Sequence, residues 1–214
     1  MKNRKTALII AIAIIVVSIT LYFLPLGDIL GNIPLIKRFY NNTSIEIIVE
    51  KGKAQIAING KDYGQTPVTI ENLPEGKYTI ELKKIAEDDT FYQKQIFEVE
   101  LAKNTSARID LEIGPENIIN GTILYYTSVR NTQSEEGLVT ITSSVQDAKV
   151  YIDKEYLGNA PVNNLELKDN QYQIKVSSTG YEDVEIPVFV RAGYQLNLKT
   201  YHFPIPVNFD TVNN

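Results

Sequence analysis

The sequence predicts an all-β protein in which two small β-sandwich modules in tandem follow one N-terminal transmembrane helix. Three observations lead to this prediction. A long apolar run lies near the N-terminus, and two later segments share one pattern of apolar residues, glycines and prolines. After the apolar run, apolar and polar residues alternate as they do in half-buried strands, and no segment has the period of an amphipathic helix.

The apolar run is the first predicted element. Residues 7–24 carry no charge and follow a basic start with Lys2, Arg4 and Lys5. A helix needs about 20 apolar residues to cross a bilayer, so residues 7–26 are predicted to be an anchor in the lipid bilayer. A cleaved signal peptide would have a shorter apolar core and a small-x-small site, and a buried core helix would have a polar face. The anchor fits better than either alternative.

Orientation follows from the basic residues before the run. Basic residues stay on the cytoplasmic side, so residues 1–6 are predicted to be cytoplasmic and the rest extracytoplasmic, with residues 27–43 as a stalk. The protein would be a single-pass protein of the cell membrane. From residue 44 onward the chain has 16 Lys and Arg against 25 Asp and Glu. This acidic balance argues against a nucleic acid as partner.

An internal repeat defines the rest of the chain. Residues 54–82 align without a gap to residues 148–176 at a constant offset of 94. The matched apolar positions fall on every second residue, which is the period of a strand with one buried face. The matched pairs include Ile56/Val150, Ile58/Ile152, Tyr78/Tyr172 and Ile80/Ile174. The polar residues between them, such as Asn59 and Asp153, are predicted to face solvent.

Each copy contains a Gly-x-x-Pro turn, formed by Gly64 and Pro67 in the first and by Gly158 and Pro161 in the second. Both glycines are predicted to have positive φ, which costs little in the absence of a Cβ. The repeat and its turns place the first sandwich at residues 44–113 and the second at 137–200, each with its own core and its own unfolding transition.

Residues 114–136 join the two copies as a strand and a linker. Residues 122–129 are predicted to pair with residues 107–113 as an extra strand, followed by a polar tether. A disordered spacer throughout is the alternative, but it would leave two aliphatic side chains and two tyrosines in water. Residues 201–214 are a C-terminal tail.

The Gly-x-x-Pro turn, the leucine after it and the strand start containing Tyr78 or Tyr172 resemble those of PEGA domains. The first copy reads Pro-Glu-Gly-Lys at residues 74–77. The second departs from this motif with Lys-Asp-Asn-Gln at residues 168–171 but keeps a later Gly-Tyr at residues 180–181. The resemblance implies a transthyretin-like sandwich of a kind often found in tandem on bacterial and archaeal cell surfaces. It supplies no catalytic residues.

Candidate catalytic and metal-binding residues are sparse. The chain has no cysteine, which excludes disulfides, thiol catalysis and Cys-ligated metals. His202 is the single histidine, and no Gly-x-Ser-x-Gly elbow presents a serine. The acidic run at residues 87–89 lacks the spacing of a calcium loop. We therefore expect no metal, no cofactor and no enzymatic activity. The alternative is an enzyme whose catalytic carboxylates converge from distant loops.

Tyrosines are the remaining candidates, since the chain has thirteen of them and no tryptophan. Tyr78 and Tyr172 fall on the alternating apolar positions of their strands and are predicted to be core residues. Five others could contact a cell-wall glycan or an envelope protein, namely Tyr63, Tyr125, Tyr126, Tyr151 and Tyr156. The expected function is a membrane-anchored structural or binding module at the cell envelope. The alternative is a carbohydrate-binding or sensory accessory protein that acts with a separate enzyme or kinase.

Overall fold

The computed structural model describes residues 43–129 and 135–206, which belong to one compact unit. Neither range contains a helix that could span a bilayer. The predicted anchor at residues 7–26 lies outside them, as do the cytoplasmic start, nearly all of the stalk and the end of the tail.

The described residues form fifteen strands and one short 3-10 turn at Asp89–Phe91. The first module contains β1 Ser44–Glu50, β2 Lys53–Ile58, β3 Lys61–Gln65, β4 Val68–Ile70, β5 Gly76–Ile85, β6 Gln95–Leu101 and β7 Ser106–Ile113. The joining strand is β8 Ile119–Ser128. The second module contains β9 Glu136–Ser143, β10 Lys149–Ile152, β11 Glu155–Asn159, β12 Val162–Lys168, β13 Asn170–Ser177, β14 Val184–Val190 and β15 Tyr194–Tyr201.

Both modules have the same strand topology, as the repeat predicts. β1 pairs with β4 in antiparallel and with β7 in parallel orientation, and β9 pairs in the same way with β12 and β15. The other four strands of each module form a sheet of their own, in the orders β3-β2-β5-β6 and β11-β10-β13-β14. In each module the alternating apolar side chains of the two layers enclose one core. The fold is all-β with two sandwich modules in tandem.

The joining strand β8 occupies the centre of a sheet that runs through both modules. This seven-stranded sheet has the order β12-β9-β15-β8-β7-β1-β4. β8 pairs antiparallel with β7, where Leu124 lies opposite Arg108, and antiparallel with β15, where Tyr126 lies opposite Leu196. The joining segment therefore forms a strand beside β7, the first of the two alternatives. Its second pairing, with β15, is not predicted by the sequence.

The two cores lie on opposite faces of this central sheet. Ile123 of β8 belongs to the first core, whereas Tyr126 of the same strand belongs to the second. Side chains an odd number of positions apart on a strand point to opposite faces. The four-stranded sheet of the first module therefore covers one face, and that of the second covers the other. The strand order is symmetric about β8, because β7, β1 and β4 on one side correspond to β15, β9 and β12 on the other.

Hydrogen bonds and ring contacts also join the modules beyond the shared sheet. The backbone N–H of Ala102 donates to the Tyr126 carbonyl oxygen at 2.9 Å. Lys199 Nζ lies 3.4 Å from the Glu98 carbonyl oxygen, and the rings of Phe97 and Tyr201 pack edge to face at 5.8 Å. The sequence predicts two modules with separate cores joined by a tether. The separate cores are present, but the modules are not separate bodies, because one sheet and these contacts connect them.

Candidate functional site

The repeat preserves a polar contact at the end of β2 and β10. Asn59 and Asp153 both have φ of 49°, a left-handed conformation that Asn and Asp tolerate. Asn59 Oδ1 accepts a hydrogen bond from the Thr79 N–H at 2.8 Å, and Asp153 Oδ1 accepts one from the Gln173 N–H at 2.9 Å. These side chains fix the β2–β3 and β10–β11 hairpins to the next strand. Alternation in the sequence predicts only that these two residues face solvent. Their equal spacing in the two copies is the signal that could have indicated this role.

The Gly-x-x-Pro turns are structural. Gly64 has φ of +86° and Gly158 has φ of +142°, so both are positive as predicted. The peptide bonds that precede Pro67 and Pro161 are cis in both copies. A Cβ on either glycine would meet open space, so the backbone conformation alone requires glycine there.

Tyr78 and Tyr172 also have equivalent contacts. The Tyr78 hydroxyl donates to the Pro74 carbonyl oxygen at 2.7 Å, and the Tyr172 hydroxyl donates to the Lys168 carbonyl oxygen at 3.2 Å. Both rings pack on the core of their own module, and burial raises the pKa of Tyr78. A hydroxyl that reaches back four residues ties the loop to the strand, much as a tyrosine corner does.

Tyr125 and Tyr126 of β8 lie between the modules and are not an exposed surface. Tyr126 is only 6% exposed, and its hydroxyl donates to the Phe189 carbonyl oxygen at 2.6 Å. Tyr125 packs on the first core, and the Lys199 ammonium lies 5.6 Å from its ring centroid. Burial raises the pKa of both tyrosines. Their position assigns them to the junction between modules.

Of the remaining three candidate tyrosines, one lies on the first module and two lie together on the second. Tyr63 is partly buried against the first core, with the Lys61 ammonium 5.2 Å from its ring centroid. Tyr151 and Tyr156 come together on the second module, with ring centroids 5.5 Å apart and planes tilted by 55°. Tyr156 is 53% exposed, and its hydroxyl donates to Asn159 Oδ1 at 2.8 Å.

The tyrosine pair lies beside an open groove of about 550 Å³ on the outer face of the second module. Strand register places one row of side chains across all four strands, Tyr156, Tyr151, Lys175 and Glu185. The residues that line the groove are Tyr151, Asp153, Lys154, Gln173, Lys175, Ser177 and Glu185. The groove therefore combines an aromatic end with hydroxyl, amide and charged groups, and we call it the tyrosine groove.

An ion pair orders the polar side of the tyrosine groove. Lys175 Nζ lies 2.7 Å from Asp183 Oδ2. Hydrogen bonds from Lys175 and then Ser177 hold the pKa of the Asp183 carboxyl below its usual range, and Asp183 raises the pKa of Lys175. Within the groove lining, Asp153 and Glu185 balance Lys154 and Lys175. The lining has no excess charge of either sign.

The first module has no counterpart of the aromatic row. At the positions equivalent to Tyr151 and Tyr156 it has Ala57 and Asp62, which lie opposite each other in the same register. The rest of its row is Glu81 and Ile96. The two outer faces therefore differ chemically although the strands beneath them are equivalent.

A second cleft, of about 600 Å³, lies between the central sheet and β14. Its lining is rich in carboxylates, but three of these are paired with cations. Arg108 contacts Asp110 at 2.9 Å. The other two ion pairs are Lys51–Glu112 and Lys175–Asp183. Of the candidate tyrosines only Tyr126 lines this cleft, and its hydroxyl is already bonded within the protein.

The single histidine is a packing residue. His202 is 4% exposed, and its Nδ1 lies 2.8 Å from the Glu182 carbonyl oxygen, so Nδ1 carries the hydrogen. Its Nε2 lies 3.0 Å from Thr200 Oγ1. In the acidic run, Asp88 accepts two hydrogen bonds from Thr90, which lower the pKa of its carboxyl. Among the described residues, no group of three or more His, Cys, Asp or Glu could hold a metal ion.

These observations define a tandem β-sandwich protein with a shared central sheet. The PEGA domain matches residues 43–117 and 136–202, and the chain belongs to this family. A search of curated proteins finds no match. Among solved structures, the one titled "The Bacillus anthracis TIE protein" is similar at 15% identity, with a TM-score of 0.25. The match covers 75% of this chain and 34% of that one, so the chain spans about a third of that protein's length.

Proposed function

We propose that this PEGA-domain chain is a membrane-anchored module on the outer side of the cell membrane, which binds a component of the cell envelope through its second module. The observation that carries the proposal is the difference between the two outer faces. An aromatic pair beside an open groove occurs on the second module, where the first has Ala57 and Asp62. The first module and the shared sheet would then act as a rigid support for that face.

Such a module would be a binding protein and not an enzyme. Catalysis of hydrolysis or proton transfer commonly uses a histidine within reach of a substrate. The single histidine of this chain is buried, with both ring nitrogens close to protein oxygens. The tyrosine groove offers instead an exposed ring and polar groups on a sheet, which suit recognition without chemistry.

Membrane anchoring and orientation rest on residues 1–26, with their basic start and uncharged run. Protease added to intact cells should remove an epitope tag placed after residue 206 and leave an N-terminal tag protected. In permeabilised cells both tags should be lost. Survival of the C-terminal tag on intact cells would overturn the orientation, and a mature N-terminus near residue 27 would show a cleaved signal instead.

Binding to the envelope is tested with the full-length chain purified in detergent and mixed with isolated cell envelopes. Tyr151→Ala should weaken binding about tenfold, which corresponds to about 1.4 kcal/mol and is the scale of one aromatic contact. Tyr63→Ala is the matched control, because Tyr63 lies near the same repeated turn in the first module. An equal loss in both variants, or none in Tyr151→Ala, would place the binding face elsewhere.

A further inference from the structure

The tyrosine groove has a chemical pattern that identifies a class of ligand, an inference that rests on the proposed function. The row of Tyr156, Tyr151, Lys175 and Glu185 crosses all four strands of the outer sheet. Neighbouring strands are about 4.8 Å apart, so the row is about 14 Å long. This length suits an oligomeric ligand that lies flat across the strands better than a single small molecule.

The two ends of the row differ in chemistry. At one end the Tyr156 ring is half exposed and tilted against Tyr151. The Tyr156 hydroxyl is held by Asn159, which fixes where the ring stands. An apolar ligand face can pack on such a ring, while the rest of the ligand must satisfy polar groups.

The other end of the row supplies hydrogen-bond donors and acceptors. Gln173 and Ser177 line the groove with an amide and a hydroxyl, each able both to donate and to accept. Lys175 can donate and Glu185 can accept, and the ion pair with Asp183 fixes the position of the Lys175 ammonium. A ligand hydroxyl both donates and accepts, so it can use both roles at once.

The charges at the groove disfavour an anionic ligand. Two carboxylates balance two lysines in the lining, and Asp183 beside it holds one of those lysines in an ion pair, so the groove has no net attraction for a polyanion. The chain around it is acidic, which disfavours anionic polymers further. A neutral molecule with an apolar ring face and many hydroxyls matches all of these features.

We propose that the tyrosine groove binds a neutral oligosaccharide, with one sugar ring packed on Tyr156 and the hydroxyls of the next rings hydrogen-bonded along Gln173, Lys175 and Ser177. The first module would not bind it, because Ala57 and Asp62 replace the two rings. Affinity should depend little on salt, since no net charge is neutralised on binding.

The test uses the full-length chain in detergent and a panel of defined oligosaccharides, neutral ones and ones that contain uronic acids. At least one neutral oligosaccharide should bind, and raising the salt should change its affinity less than about twofold. Tyr156→Ala should weaken binding about tenfold, whereas Tyr156→Phe, which keeps the ring and loses the hydroxyl, should stay within about threefold. Equal losses in the Ala and Phe variants would contradict ring packing, and binding only of the acidic sugars would contradict the charge argument.

Chemical treatment of isolated envelopes separates failure of this inference from failure of the proposed function. Periodate, which cleaves sugars at neighbouring hydroxyls, should abolish binding of the chain to envelopes, and protease pretreatment should leave it intact. The opposite result would mean that the second module binds an envelope protein, so the oligosaccharide inference would fall and the binding function would stand. No binding to untreated envelopes would overturn both.

Discussion

Replacing Gly121 by valine should prevent the chain from folding into either module. Gly121 lies within β8, opposite Leu111 of β7 and Tyr201 of β15. Its φ is +121°, and a Cβ there would overlap the Asp110 carbonyl oxygen and come within 3.0 Å of Leu111 Cα. Both obstacles are backbone atoms of the neighbouring strand, which have no rotamer to change. The expected loss exceeds about 4 kcal/mol, a large part of the stability of a small domain.

The matched control is Gly193→Val. Gly193 has φ of +79°, but a Cβ there would meet open space. This variant carries only the cost of the backbone conformation, about 1 to 3 kcal/mol, and should fold with a melting temperature lowered by several degrees. Circular dichroism and thermal unfolding of both purified variants measure the difference. If Gly121→Val melts as a folded protein near the temperature of Gly193→Val, the central sheet is not packed as described.

Replacing Ile123 by alanine should destabilise the second module although its side chain lies in the first core. Ile123 is fully buried, and truncating its side chain to a single methyl group in a packed core costs about 2 to 5 kcal/mol. Its strand also pairs along its length with β15 of the second module. Loosening β8 therefore removes support from both modules. Amide hydrogen exchange should accelerate in β5 and also in β13, which belongs to the second module.

Ile80→Ala is the control for this effect. Ile80 is the same residue type, equally buried in the first core, but it lies on β5, a strand of the four-stranded sheet. It should raise exchange in β5 as strongly as Ile123→Ala does and in β13 much less. If neither variant changes exchange in β13, the modules unfold independently, which is the behaviour that the sequence alone suggested.

Local patterns in the sequence determined where the strands and turns of the two modules lie. Alternation of apolar and polar residues reports a strand with one buried face, because side chains on a strand point alternately to its two faces. The pairs Ile56/Val150 and Ile80/Ile174 are all buried accordingly. The repeated turns and the Pro-Glu-Gly motif identified the family for the same reason, since a turn is set by a few consecutive residues.

Two of the candidate tyrosines show what a local sequence pattern does not predict. Tyr125 and Tyr126 lie in an apolar run that is typical of a strand with both faces covered. The sequence indicated the strand, but its second partner, β15, lies about 70 residues further along the chain. Burial of Tyr126 follows from that pairing and cannot be read from its neighbours.

The tertiary structure alone decided how the two modules meet and where the tyrosine groove lies. The groove depends on the register of four strands, which brings Tyr156, Tyr151, Lys175 and Glu185 into one row. The sequence determined which residues alternate and where the chain turns, because these properties depend on neighbouring residues. Register and the sharing of β8 arise from contacts between distant strands, where a shift of one residue would exchange the two faces.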